Sequence, residues 1–131
     1  MSNGALKLLA GAGATEAPVY VDDVFSTFLY NGNSSTQVID NGIDLSGEGG
    51  LVWLKNRTQS GGYQHCLFDT ERGATKRLYS DATSAESTGY LSSFNNNGFT
   101  LASGFYENQS SHPHVSWTFR KQPGFFDIQT Y

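Results

Sequence analysis

Runs of β-branched and aromatic residues recur about every 10–15 residues along this chain, each closed by glycine, asparagine or serine. No long stretch carries the period of an amphipathic helix. Such runs hide their apolar faces only by stacking one sheet on another. "VYVDDVFSTFLY" (19–30) is followed by the turn "NGNSS", then "TQVIDNGIDL", the loop "SGEGG" and the strand-like "LVWLKNR" (51–57). "HCLFDT" reads as another strand, and "ERGATKRLYSD" as a hairpin turning near Gly73. "LSSFNNNGFTLAS" (91–103) is the clearest hairpin, because an Asn-rich turn ending in Gly98 separates two alternating runs. "HVSWTFRK" (114–121) sets Val115, Trp117 and Phe119 against Ser116, Thr118 and Arg120, the pattern of a half-buried strand. "FFDIQTY" (125–131) begins one more strand after the turn at Pro123 and Gly124. "LVWLKN" is apolar on both faces, as a central covered strand should be, which predicts that Trp53 and Trp117 both face the core.

Composition agrees. Charged residues are 15% against the usual quarter, and Gly is 15 of 131 residues, above the ordinary ~7%. A length of 131 residues fits one domain. The fold class expected is all-β, an antiparallel β-sandwich of jelly-roll type with an extended N-terminal arm. Residues 1–18 are the arm, 19–122 the sandwich, and 123–131 a C-terminal strand or linker that leads to a further module or ends the chain. A formal net charge of -4 leaves no basic surface for nucleic acid. No apolar run approaches about 18 residues, so no membrane insertion is expected. "ALKLLAGAGA" lacks a basic n-region and Lys7 interrupts it, so it reads as a retained segment rather than a signal peptide. Cys66 stands alone, without a disulfide partner, and reads as a small buried hydrophobe.

Asp69 and Glu71 have the spacing of same-face acids on a strand, and glycoside hydrolysis needs two carboxyl groups about 5–10 Å apart. The other reading is a solvated strand end pairing with Arg72, Lys76 or Arg77. His112 and His114 flank a proline and His65 is alone, so a metal would lack a third ligand. "DNGID" (40–44) is too poor in acids for a calcium loop and reads as a turn. There is no G-x-S-x-G elbow and no phosphate-binding glycine loop, and neither a catalytic residue nor a cofactor is assigned. Three N-x-[ST] sequons stand at Asn33, Asn56 and Asn108. Tyr63, Tyr90, Phe105 and Tyr106 fall in loops, where aromatics either stack on sugars or cap the sandwich ends. Leu6, Leu8, Leu9, Val19 and Tyr20 are the partner-binding candidates of the arm, whose small residues suit ordering on a partner.

Four blocks carry a resemblance: "STFLYNGNSSTQVIDNGIDLSGEGGLVWLKNR", "LFDTERGATKRL", "NNGFTLAS" and "VSWTFRKQPGFFDIQTY". In order and phrasing they resemble a repeated module of bacteriophage tail and tail-fibre proteins, especially of marine and cyanobacterial phages, over roughly residues 19–131. The module is similar in pattern to concanavalin A-like (laminin G-like) jelly rolls. The resemblance implies a virion structural protein with no reaction of its own, located in the phage tail. It implies partners among other tail proteins (adaptor, nozzle or baseplate) and a homotrimer. The alternative is a carbohydrate-binding, lectin-like module that reads a host surface glycan.

Overall fold

A computed structural model describes residues 17–58 and 63–131 of the chain. Leu6, Leu8 and Leu9 lie outside the described residues, as does most of the loop before Tyr63. A single helical turn, α1 (Val21–Val24), leads into β1 (Phe25–Asn31) and then β2 (Gln37–Asp40). A second turn, α2 (Leu45–Glu48), precedes β3 (Gly50–Asn56), β4 (Cys66–Asp69), β5 (Lys76–Tyr79) and the short β6 (Ser87–Thr88). The hairpin β7 (Leu91–Asn95) and β8 (Gly98–Leu101) follows, then the turn α3 (Phe105–Asn108) and the long β9 (Pro113–Arg120).

These strands make two antiparallel sheets, one of six strands in the order β1-β9-β3-β4-β5-β6 and one of three in the order β2-β8-β7. The chain is an all-β sandwich. The core lies between the sheets, with Val52, Leu54 and Phe68 from the large sheet against Ile39, Leu91, Phe99 and Leu101 from the small one. Cys66 is buried within this cluster.

Turn chemistry places the elements. Asp44 caps α2 by accepting the Gly47 N–H at 2.8 Å, and Asn41 accepts the Ile43 N–H at 3.1 Å, so "DNGID" is an Asx turn followed by a cap. The β7–β8 hairpin forms where "NNNG" predicts it. At Gly98 a Cβ would stand 1.9 Å from the Ile39 carbonyl oxygen, so only glycine lets β2 approach β8 this closely. The Asn-Gly at 31–32 carries the chain from the large sheet to the small one.

Two expectations are corrected. Trp53 and Trp117 do not face the core. Inside, β9 presents His114, Ser116 and Thr118, all fully buried, opposite Asn56, Leu54 and Val52 of β3. Trp117 and Phe119 point to the outer face with Trp53 and Leu51 and are half-buried there. The inversion is stable because each of these three inward side chains of β9 has a hydrogen-bond partner. The Asn41 amide donates to Thr118 Oγ1 at 2.9 Å, the Ser116 hydroxyl reaches the Phe28 carbonyl at 3.5 Å, and the His114 ring nitrogens lie 2.8 and 3.2 Å from the His112 and Tyr106 carbonyl oxygens, to one of which the neutral ring donates its single N–H. Secondly, Phe125–Tyr131 forms no strand. A bridge from Gln122 to Phe126 folds the tail back, and the Phe126 ring stacks on Phe119 at 5.3 Å.

Candidate functional site

The loop end of the sandwich is built on α3. Glu107 and Asn108 are fully buried, although both are polar. The Asn108 amide donates to the Ser35 carbonyl at 2.6 Å, the Ala102 carbonyl at 3.1 Å and Asn33 Oδ1 at 3.2 Å, while its oxygen accepts the Asn33 N–H. It therefore ties the loop after β1 to the loop after β8. The Glu107 carboxylate accepts from the Arg77 guanidinium at 2.9 Å, and its backbone carbonyl accepts the Tyr30 hydroxyl at 2.6 Å. The Arg77 cation lies over the Tyr79 and Tyr106 rings, at 4.9 and 5.0 Å from their centroids. Burial alone draws the Arg77 pKa down, but the hydrogen bond and charge of Glu107 outweigh it and raise it. Burial, and next the Glu107 charge, push the Tyr30 hydroxyl and the Cys66 thiol well above their ordinary values, so both stay protonated.

This buried frame holds the aromatics of the rim. Tyr63 stacks on Phe105 at 5.2 Å between centroids, meets Tyr106 edge-on at 6.1 Å and lies against His112 at 5.7 Å. The loop aromatics Tyr63, Phe105 and Tyr106 thus come together. Tyr90 and Phe105 line a cleft of about 380 Å³ together with Ser34, Ser103, Gly104 and Gln109. Tyr90 is 40% exposed and Phe105 52% exposed. A Cβ on Gly104 would meet the Tyr90 ring at 2.4 Å, so glycine is what lets that ring lie against the backbone. Rings beside hydroxyls and an amide in a shallow cleft suit a neutral polyhydroxylated ligand, whose C–H faces stack while its hydroxyls exchange hydrogen bonds.

A second surface lies on the outer face of the large sheet. Trp53 and Trp117 are cross-strand neighbours and meet edge-to-face at 5.3 Å. The Trp53 indole N–H donates to His65 Nδ1 at 2.9 Å. Phe119 packs on Phe25 at 5.0 Å in the next row. Leu29, which is 59% exposed, stands on the same outer face beside Val115. Phe25, Trp53, Trp117 and Phe119 are each half-buried, so part of their apolar area remains open to a partner.

The remaining candidates find structural places. Asp69 accepts the Arg72 N–H at 2.8 Å and its guanidinium at 2.6 Å, closing the β4–β5 turn, while Glu71 reaches Lys121 at 3.5 Å. This is the strand-end pairing rather than a facing acid pair. His114 stacks on Tyr30 at 5.0 Å, and burial lowers its pKa. His112 bonds the Asn56 amide at 2.9 Å. Among the described residues no three His, Cys, Asp or Glu side chains gather as a metal site would require. The sequon residues Asn56 and Asn108 are buried, and Asn33 is exposed. Val19 and Tyr20 are half-buried, and Tyr20 begins α1 by exchanging bonds with Asp23. The Arg77–Glu107 pair, which orders the rim, carries no sequence signal because thirty positions separate its members.

Comparison with curated proteins and with solved structures finds no match. A family model covers residues 21–125, from α1 to the turn after β9. The chain therefore belongs to the family described as Domain of unknown function (DUF7483).

Proposed function

We propose that this chain is a non-catalytic structural module of a phage tail, whose N-terminal arm docks it to the tail and whose sandwich mediates assembly or host attachment. The observation that carries the assembly role is the ladder of Trp53, Trp117, Phe119 and Phe25 on the outer face of the large sheet. Aromatic residues dominate protein–protein contacts because they bury much area at little entropic cost. The tail location rests on the four-block sequence resemblance. The test is incorporation into particles. Trp117→Lys is expected to lower the share of the chain found in assembled tails at least tenfold while the isolated protein melts as a folded domain. Unchanged incorporation of that variant sinks the reading.

A second reading, recognition of a host surface glycan, draws on the cleft between Tyr90 and Phe105. On a glycan array the protein is then expected to retain a neutral or weakly charged polysaccharide. Phe105→Ala should abolish that signal with little effect on stability, because the ring is largely exposed. Binding unaffected by Phe105→Ala and Tyr90→Ala would place the ligand elsewhere.

A further inference from the structure

The large sheet ends in an edge unlike the other three. β6 has two residues, β2 four, and β7 five with a register shift at Leu91/Ser93. β1 has seven residues, "FSTFLYN", in unbroken register with β9 from Phe25 to Asn31. It carries no proline, no charge and no bulge, which are the devices that protect an edge strand from pairing. Among the described residues no strand pairs with its second side.

The hydrogen-bond phase says which groups face outward. The Gly32 N–H donates to the His112 carbonyl at 2.9 Å, one step beyond the Asn31–Pro113 pair. Bonded and non-bonded pairs alternate along an antiparallel ladder, so Tyr30, Phe28 and Ser26 spend their backbone groups on β9. Phe25, Thr27, Leu29 and Asn31 direct theirs to the outer edge, where, among the described residues, only the Phe25 N–H is already used, by the Val21 carbonyl of α1. Thr27 and Leu29 are also exposed on the outer face.

We propose that β1 pairs antiparallel with β1 of a second copy of this chain, about a twofold axis at Phe28. In that register Thr27 faces Leu29 of the other copy and Phe25 faces Asn31, so all four edge residues meet edge residues. A register shifted by one would present groups already spent on β9. Charge chooses the direction. The acids Asp22 and Asp23 precede β1, whereas the stretch 31–37 after it is uncharged. An antiparallel pair sets each acidic end beside a neutral end, while a parallel pair would bring four acids together. The apolar outer face then runs on across the axis, with Leu29 of each copy flanking it. The edge is self-complementary, as a twofold contact requires, whereas a threefold ring closes through unlike surfaces.

The test uses the full chain. Light scattering after size exclusion is expected to give a dimer, and Leu29→Lys to raise its dissociation constant at least tenfold without unfolding the exposed strand. Thr27→Cys and Leu29→Cys chains, mixed and oxidised, are expected to cross-link to each other far more than either does to itself. A monomer at every concentration overturns the proposal, as does an oligomer that Leu29→Lys leaves intact. Cross-links formed equally by Thr27→Cys alone exclude the register. A monomer that becomes a dimer only when residues 1–16 are deleted assigns the edge to the arm and likewise overturns it.

Discussion

Removing the Glu107 carboxylate would leave the Arg77 guanidinium buried between two rings without its anion. Breaking one side of such a pair costs about 3–5 kcal/mol, whereas replacing both by apolar groups of similar volume is often neutral. Glu107→Leu is therefore expected to lower stability by about that amount in chemical denaturation. Adding Arg77→Met should recover most of it; a double variant no better than the single one would contradict the pairing. His114 acts through protons. Burial holds its pKa below the ordinary 6.5, so near that pH the unfolded chain takes up a proton that the folded state refuses. Its contribution is full above about pH 6.5 and is lost as pH falls below it. Urea midpoints measured across pH 5 to 8 should fall on the acid side, and less so in His114→Gln. Cys66 and Tyr30 work in the opposite direction, because burial keeps them protonated. Their contribution is lost as pH rises past the unfolded thiol value of 9.0 and then the phenol value of 10.0. Nothing local in the sequence announces these residues as partners. Their positions are far apart in the chain, and each polar type is common on surfaces.

At the scale of the strand, β9 tests the face assignment. Ser116→Leu raises the hydrophobicity of a strand that already looks amphipathic. It is nonetheless expected to cost about 1–3 kcal/mol, because position 116 is fully buried between Phe28 and Leu54, where a larger side chain overpacks. A stabilised Ser116→Leu would show that Ser116 faces solvent. Gly98→Ala should loosen the β2–β8 pairing, read as faster amide exchange at Ile39 and its neighbours, because the new methyl meets the Ile39 carbonyl. The turns at Gly73 and Gly98 were legible because turn residues act locally. The sense of β9 was not. A period of two says which residues share a face but carries no sign. Buried hydroxyls with hydrogen-bond partners look, in sequence, like a solvent face. The rim aromatics were legible as loop residues, but their meeting depends on Asn108 and Glu107, which hold distant loops together. The C-terminal run read as a strand from its apolar residues, yet those residues are used to cover Phe119 rather than to extend a sheet.

The molecule as a whole has one core shared by both sheets, so it should unfold as one unit. Phe68 sits at its centre, fully buried, with Gly89 close against its ring. Phe68→Ala is expected to cost about 3–5 kcal/mol while far-ultraviolet dichroism and tyrosine absorbance still report a single coincident transition. Separate transitions for the two sheets would contradict the shared core. The surfaces divide the work: the inner face of the large sheet holds the fold, its outer face carries the half-buried aromatic ladder, and the loop rim carries the exposed rings of Tyr90 and Phe105. The chain has only two tryptophans, and both stand in the same edge-to-face pair on that outer face, one of them bonded to His65. The indole emission of this protein therefore originates on one surface and nowhere else. Excitation near the red edge of the absorption band reads the occupancy of that surface without any attached label. The coupled transitions of two indoles held 5.3 Å apart give it a chiroptical signature that free tryptophan lacks.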